Sequence, residues 1–385
     1  MKRSLILVLW LGVSVCLGAD LVGGSASAEP VAALRPVEEG ERPALLDIGD
    51  AASLREAILQ SLVWLTRQPP RSAFVVGART VTAGEQARAL ERVLEFLADD
   101  PAPDVLEAFL LEEFDLMRSV GGGDGTMLVT GYHEVTIDAA LEPSADYRVP
   151  ILAPPAALPG RPTAALPGRP TRAEIEAGRL AGRAGPLAWA RNPVDVFFME
   201  VEGSGTLRLT DGRELRVGYA GTNGQPYRSI ARLLIDEGHI DREAMSMRAL
   251  REWLVANPGQ MRRVLHHNPS YVFFGRRAGP PVGSLGVSLT PGRSIATDPR
   301  IFPPGSLAFL LTERPRRTGD GTVEWSPVSR FVVSQDVGGV IKGPGRVDVF
   351  WGRGPEADLA ASEMKQPGEL YVLVPKRPQP AGSGQ

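Results

Sequence analysis

The chain has 385 residues, with 42 lysines and arginines against 45 aspartates and glutamates, and a single cysteine. That length predicts two domains, and a net charge of −3 excludes the basic face that nucleic-acid binding requires. One cysteine excludes a disulfide scaffold, so stability must come from a core, which a chain this long can build.

Met1-Lys2-Arg3, the apolar run from Leu5 to Leu17 and the small residues Ala26-Ser27-Ala28 predict a secretory signal peptide over 1–28, cleaved after Ala28. Cys16 offers a lipid-anchored alternative, but Val15 places a branched residue where a small one is expected. Removing Lys2, Arg3 and Asp20 leaves 40 basic and 44 acidic residues, a charge of about −4, and no cysteine. No later stretch is long and apolar enough to span a membrane.

Residues 29–45, rich in Pro, Glu and Ala, predict a flexible lead-in. From Asp50 to Leu97 the pattern is largely helical, with Ala51, Leu54, Ile58, Leu62 and Leu65 in one stripe and Ala87, Leu90, Val93, Leu94 and Leu97 in another. Asp50 and Thr82 suit the N-caps, and a third helix is expected around Val105 to Leu116. The glycine run from Gly121 to Thr126 lacks the Gly-Lys-Ser/Thr ending of a phosphate loop and reads as a hinge or tight turn.

Beyond Gly125 the texture becomes β, with strands expected over 127–135 and 147–152. Residues 156–171 repeat AALPGRPT twice, a surface loop to which no chemistry is assigned. Thr171 followed by Glu174 has capping-box spacing. Strands are expected over 194–201, 206–209 and 214–219, the last two joined through Asp211-Gly212, a hairpin signature. Helices are expected over 229–237 and 246–255. Tyr271 to Phe274 opens a final β-rich region that ends at Val374, with a disordered tail after Pro375. The class is α+β, mostly β, without the strand–helix alternation of a doubly wound sheet.

The histidines His133, His239, His266 and His267 have no zinc spacing, and adjacent His266-His267 would point opposite ways in a strand, so no metal is expected. Gly203-Ser204-Gly205 lacks the outer glycines of a nucleophile elbow and suits a turn offering donors to a ligand. The segment from Tyr219 to Ser229 is dense in Tyr, Asn, Gln, Arg and Ser, a mixture suited to sugars; a loop leading into a helix cap explains it equally. Asp336 and Asp348 each sit where a short apolar run meets a glycine turn. A carboxyl in a strand beside Phe350 and Trp351 is poorly solvated, which raises its pKa toward that of a general acid. A buried Asp tying down a turn remains the alternative. Asp298, Asp336 and Asp348 could also supply a carboxylate pair, and spacing along the chain leaves one- and two-carboxyl mechanisms open.

Taken together, several blocks resemble the membrane-bound lytic murein transglycosylase A family from about Thr130 to Pro375. They are Thr130-Gly131-Tyr132, Gly203-Ser204-Gly205, Tyr219 to Gly224, Tyr227 to Ile230, Met245 to Met247, Asn268 to Phe274, Gly292 to Asp298, and Asp336 to Gly352. The last region resembles the three-aspartate domain, whose aspartates fall on Asp298, Asp336 and Asp348. The resemblance implies a double-psi β-barrel domain with surrounding helices and an inserted smaller β domain, with a glycan groove between them. On this basis 46–125 would be the helical part of the barrel domain, 126–268 the insert, 269–376 the barrel and 377–385 a tail.

The resemblance also implies an enzyme, a peptidoglycan lytic exotransglycosylase. It would cleave the β-1,4 bond between N-acetylmuramic acid and N-acetylglucosamine without water, leaving 1,6-anhydromuramyl ends. Asp348 would be acid and then base, with Asp336 and Lys342 supporting it and Asp298 structural. Ser204, Tyr219, Asn223, Tyr227 and Arg228 would line the groove with Glu202, which replaces the family's usual Gln. His133 likewise replaces a commoner Tyr. Glu202 leaves a two-carboxyl hydrolase open, and a non-catalytic glycan-binding protein is the other alternative. No cofactor is implied. Peptidoglycan strands are the expected partner, with cell-wall synthesis or division complexes as further candidates. The expected location is the periplasm or the outer-membrane periphery.

Overall fold

The computed structural model describes residues 33–155, 168–339 and 341–377; the expected signal peptide with Cys16, most of the 156–171 repeat and the tail lie outside them. The chain divides into two compact units. One includes residues up to Gly131, Val282–Gly352 and the chain from Met364; the other includes Tyr132–Pro281 and Arg353–Glu363.

The first unit is built on an eight-stranded sheet among the described residues. Its order is Leu34–Pro36, Phe114–Ser119, Lys365–Pro375, Leu307–Arg317, Val323–Asp336, Ser294–Ala296, Arg346–Phe350 and Met127–Tyr132. Lys365–Pro375 pairs along its first half with Met127–Tyr132 and along its second with Phe114–Ser119, so the sheet closes on itself. Closure removes exposed edges from the central strands. Ser294–Ala296 runs parallel to the end of Val323–Asp336, with a register shift after Ile295 that brings Ala296 opposite Asp336.

Two helices begin where their caps predict. The Asp50 carboxylate accepts from the Ser53 N–H at the head of Ala51–Leu65, and Thr82 forms a full capping box with Glu85 at Ala83–Leu97. Their buried stripes, including Leu54, Ile58, Leu90 and Val93, pack with Leu307, Phe309, Phe331 and Val333 into one core. The expectations need three corrections here. Leu34–Pro36 pairs with Phe114–Ser119 and Leu45 is buried, so the lead-in is held in place from residue 33 onward. A hairpin, Ala73–Val76 with Arg79–Thr82, interrupts the helical stretch after Pro69-Pro70. The third helix is Pro103–Glu113, and Phe114 to Leu116 already belong to a strand.

The second unit carries a six-stranded sheet, ordered Val272–Arg276, Glu214–Thr222, Ser204–Leu209, Val135–Ala140, Pro186–Ala190 and Val149–Leu152. The Asp211-Gly212 hairpin and the Thr171–Glu174 capping box form as read. Residues 194–201, expected as a strand, instead lie in the helix Pro193–Glu202. An unbroken apolar run fits a buried helix or a buried strand equally well, and the ends decide. Asn192 caps the Val194 N–H, Pro193 takes the first turn, and Gly203 closes the helix at φ 76°. One side of this helix meets the sheet through Val196 and Met199. The other meets Ile230–Asp236, Met247–Ala256 and Pro258–His267 through Val194, Phe197, Phe198 and Val201. His266 and His267 therefore lie on a helix rather than a strand, and Pro355–Glu363 is a further helix that periodicity did not show. Among the described residues no cluster could hold a metal, and no helix is long and apolar enough to cross a membrane.

Candidate active site

Asp348 lies mid-strand in Arg346–Phe350, opposite Ala296 on one side. On the other side Leu128 N–H donates to the Gly345 carbonyl, which brings Met127–Tyr132 alongside. The Thr130 hydroxyl then donates to Asp348 Oδ1 at 2.9 Å. Asp348 is half-buried, and desolvation of its carboxyl pushes the pKa up to about 6. The Thr130 hydrogen bond and the Arg346 charge oppose that rise, while the negative charge of Asp336 adds to it. A carboxylic acid with such a pKa keeps a fraction of its protons near neutral pH and can both give and take one.

Asp336 ends the strand Val323–Asp336 and is buried. Its Oδ1 accepts from the Ser284 N–H at 2.8 Å and from its neighbour Val337 N–H at 2.9 Å. Gly283 makes the first contact feasible, because a Cβ there would stand 2.6 Å from the Gln335 carbonyl oxygen and 3.3 Å from Asp336 Cγ. Gln335 fixes the strand from behind, donating to Ala57 O at 2.7 Å and Ser61 Oγ at 3.0 Å and accepting from Ser294 Oγ at 2.6 Å. Asp336 therefore stands near enough to repel Asp348 while serving as a backbone anchor.

Asp298 is fully shielded and accepts from Arg300 through both oxygens and from the Gly343 N–H at 2.9 Å. Burial alone would raise its pKa, but the Arg300 side chain and these N–H groups outweigh it and hold the carboxyl at about 2. It thus fastens the turn that leads into the Asp348 strand. Because the folded pKa lies below the unfolded value of about 3.9, this stability is present above pH 4 and is lost as pH falls toward 2. Asp298→Asn is expected to cost about 1–3 kcal/mol at pH 7 and progressively less below pH 4, measured by urea unfolding at each pH. An equal cost at pH 3 and pH 7 would exclude the charged anchor.

Lys342 is exposed in the same turn region, and the cation whose field reaches Asp348 is Arg346. Neither Arg346 nor Thr130 received a role from the sequence, although Thr130 stood in a conspicuous motif. A tight loop, with Gly122 N–H on Thr126 O and Thr126 N–H on Asp124 Oδ1, precedes the Thr130 strand. A cleft of about 650 Å³ opens beside it, lined by Gly122, Gly123, Asp124, Thr126, Met127, Leu128 and Pro367.

The other six expected site residues lie in the second unit. Glu202, Ser204 and Tyr219 gather around Gly203, whose carbonyl accepts the Tyr219 N–H at 2.7 Å, and Ser204 pairs with Gly218. All three are half-buried, and burial raises the Tyr219 pKa. Asn223 is fully shielded, with its amide engaged inside the protein. It donates to the carbonyls of Pro170 and Pro269 at 2.8 Å and accepts from the Tyr271 N–H at 2.9 Å. This geometry makes it a latch for the loop rather than a surface contact. Tyr227 is half-buried with a shielded hydroxyl whose pKa burial raises, whereas Arg228 is exposed and its N–H is held by Asn268 Oδ1 at 3.1 Å. Beneath this loop the buried pair Arg172 and Glu200 meets at 2.5 Å. Arg172 also donates to Ser270 O at 2.8 Å, and Glu200 accepts the Val272 N–H at 3.2 Å.

Comparison with known proteins finds two family profiles along the chain. The family profile described as the MltA specific insert domain matches residues 128–275, and that of the 3D domain matches residues 293–374. Membrane-bound lytic murein transglycosylase A of Vibrio cholerae is 35% identical over 288 residues, 74% of either chain. Its Escherichia coli K12 counterpart is 38% identical over 252 residues, 65% of this chain and 66% of the relative. Among solved structures, a membrane-bound lytic murein transglycosylase from Agrobacterium tumefaciens superposes with a TM-score of 0.70 at 28% identity, over 89% of this chain and 98% of that one. E. coli MltA with bound chitohexaose gives 0.66 at 29% identity, over 90% and 93%.

Proposed function

Because the chain belongs to the membrane-bound lytic murein transglycosylase A family, we propose that it cleaves peptidoglycan strands with Asp348 as its sole acid and base. The function is that of a peptidoglycan lytic transglycosylase. The observation that carries the one-carboxyl mechanism is the unequal state of the three barrel aspartates. Asp298 is fixed as a carboxylate by Arg300, Asp336 Oδ1 is held by two backbone N–H groups, and Asp348, which meets the Thr130 hydroxyl, has its pKa raised to about 6 by burial.

The neutral Asp348 carboxyl donates its proton to the glycosidic oxygen as the bond from muramyl C1 to that oxygen breaks. The resulting carboxylate accepts the proton of the muramyl C6 hydroxyl as C6–O bonds to C1. The product is a 1,6-anhydro end, Asp348 regains its proton, and no water is consumed. The Thr130 hydroxyl orients the carboxyl in both halves of the cycle, and burial, with a smaller contribution from Asp336, destabilises the carboxylate enough to keep the acid available. Ser204, Tyr219, Glu202 and Arg228 are proposed to touch the glycan, with Asn223 holding their loop.

The substrate class is supported by the chitohexaose bound to the E. coli relative. Export to the periplasm with cleavage after Ala28, rather than lipid attachment at Cys16, completes the proposal and rests on the sequence. To test it, the purified chain is incubated with isolated peptidoglycan and the soluble products are treated with borohydride. The reading expects muropeptides without a reducible end. Reducible ends would assign a hydrolase and bring Glu202 forward, and retained binding without products would assign a glycan-binding protein.

A further inference from the structure

We propose that Arg346 is a positioning residue for this reaction, a guanidinium held beside Asp348 as the counter-charge for the carboxylate that forms when the proton leaves. The inference rests on the assignment of Asp348 above.

Arg346 and Asp348 are two residues apart in one strand, so both side chains leave the same face, their Cα atoms about 7 Å apart. Nε and Nη2 of Arg346 are shielded from solvent, and neither has a hydrogen-bond partner among the described residues. Those two N–H groups form the edge of a guanidinium that takes a carboxylate in bidentate fashion. The fully buried Arg172 and Arg293 are matched with Glu200 and Asp47, and among the described residues Arg346 is the arginine with two shielded nitrogens left without a hydrogen-bond partner, against one each for Arg118 and Arg330. Leaving buried donors unpaired costs stability, so folding alone does not account for the arrangement.

Nor is Arg346 carried by a loose segment. The Ser119 hydroxyl donates to Pro344 O at 2.6 Å, and the Leu128 N–H donates to Gly345 O at 2.9 Å. Around Asp348 the neighbouring strands present the Thr130 hydroxyl, the Asp336 carboxylate and the uncharged Ala296, and its own strand presents Arg346. Lys365 stands opposite Thr130 in the next strand, and Arg346 is the cation whose charge acts on Asp348. It meets its partner only after Asp348 has transferred its proton to the leaving oxygen, and it is released when the C6 hydroxyl proton returns. Arg346 itself neither gains nor loses a proton.

The test compares the pH dependence of kcat/KM on peptidoglycan for the wild type, Arg346→Met and Arg346→Lys. Without the charge the Asp348 carboxylate is less stable, so in the Met variant the alkaline limb moves up by about one pH unit. Maximal kcat falls roughly tenfold with a smaller change in KM. The Lys variant keeps a limb close to the wild type. If thermal unfolding shows that the Met variant is not folded, Arg346→Gln replaces it with the same expectation. An unmoved limb in a folded Met or Gln variant overturns the proposal, as does an equal shift in the Lys variant. An active Asp348→Asn enzyme would instead remove the premise, which keeps the two failures apart.

Discussion

Asp348→Asn is expected to lower kcat on peptidoglycan by about a thousandfold, within the range that a general acid–base group supplies, with little change in glycan binding. The asparagine keeps the shape and can still accept from the Thr130 hydroxyl, so a loss of turnover reports the missing proton. The same substitution is expected to stabilise the fold at neutral pH. With a folded pKa of about 6 and an unfolded value of about 3.9, the native state binds more protons between those limits. Stability therefore falls as pH rises from 4 to 6, and the deficit persists above 6. Removing the carboxylate relieves it, by about 1–2 kcal/mol at pH 7.5 once partial exposure is discounted, and by little below pH 4. A variant that is dead and also less stable at pH 7.5 would indicate damage to the strand instead of a lost acid.

Arg172→Met is expected to carry the largest cost in stability, about 3–5 kcal/mol at pH 7, because it strands Glu200 as a buried, unpaired charge. Even with Arg172 present, burial outweighs their attraction and pushes Glu200 up to about 6. Without the arginine Glu200 is protonated more readily still, so the deficit narrows as pH drops toward 4.5. Arg172→Met combined with Glu200→Met should recover most of the loss, since both desolvation penalties disappear together. Urea midpoints at pH 7 and 4.5 measure this, and a single variant within 1 kcal/mol of the wild type at pH 7 would show that the pair is not structural. Function should suffer as well, because Arg172 holds the Asn268–Ser270 carbonyls beneath the loop from Asn223 to Arg228.

Local chemistry made parts of this molecule readable. Asp50, Thr82 and Thr171 place their helices because a cap is decided by a few adjacent residues, and Asp211-Gly212 places its hairpin for the same reason. The apolar run of Pro193–Glu202 reads as a strand or a helix alike because burial on all sides erases periodicity, leaving Asn192, Pro193 and Gly203 as the true indicators. The Asp348 site was half legible. Its strand and raised pKa follow from neighbouring residues, and the position of Arg346 on the same face follows from alternation. The Thr130 hydroxyl comes from a strand 218 positions away, through barrel closure that no local pattern encodes. Asn223 shows the converse, since a residue type suited to sugars is spent on backbone groups that only the folded loop brings near.

The central claim is that the bond is broken without water, through Asp348 alone. Digestion of peptidoglycan in ¹⁸O-labelled water, followed by mass spectrometry of the new muramyl ends, tests it most directly. Ends one water lighter than a hydrolysed product and free of label are expected. One ¹⁸O at each cleaved muramyl C1 would contradict it and require a second group that activates water.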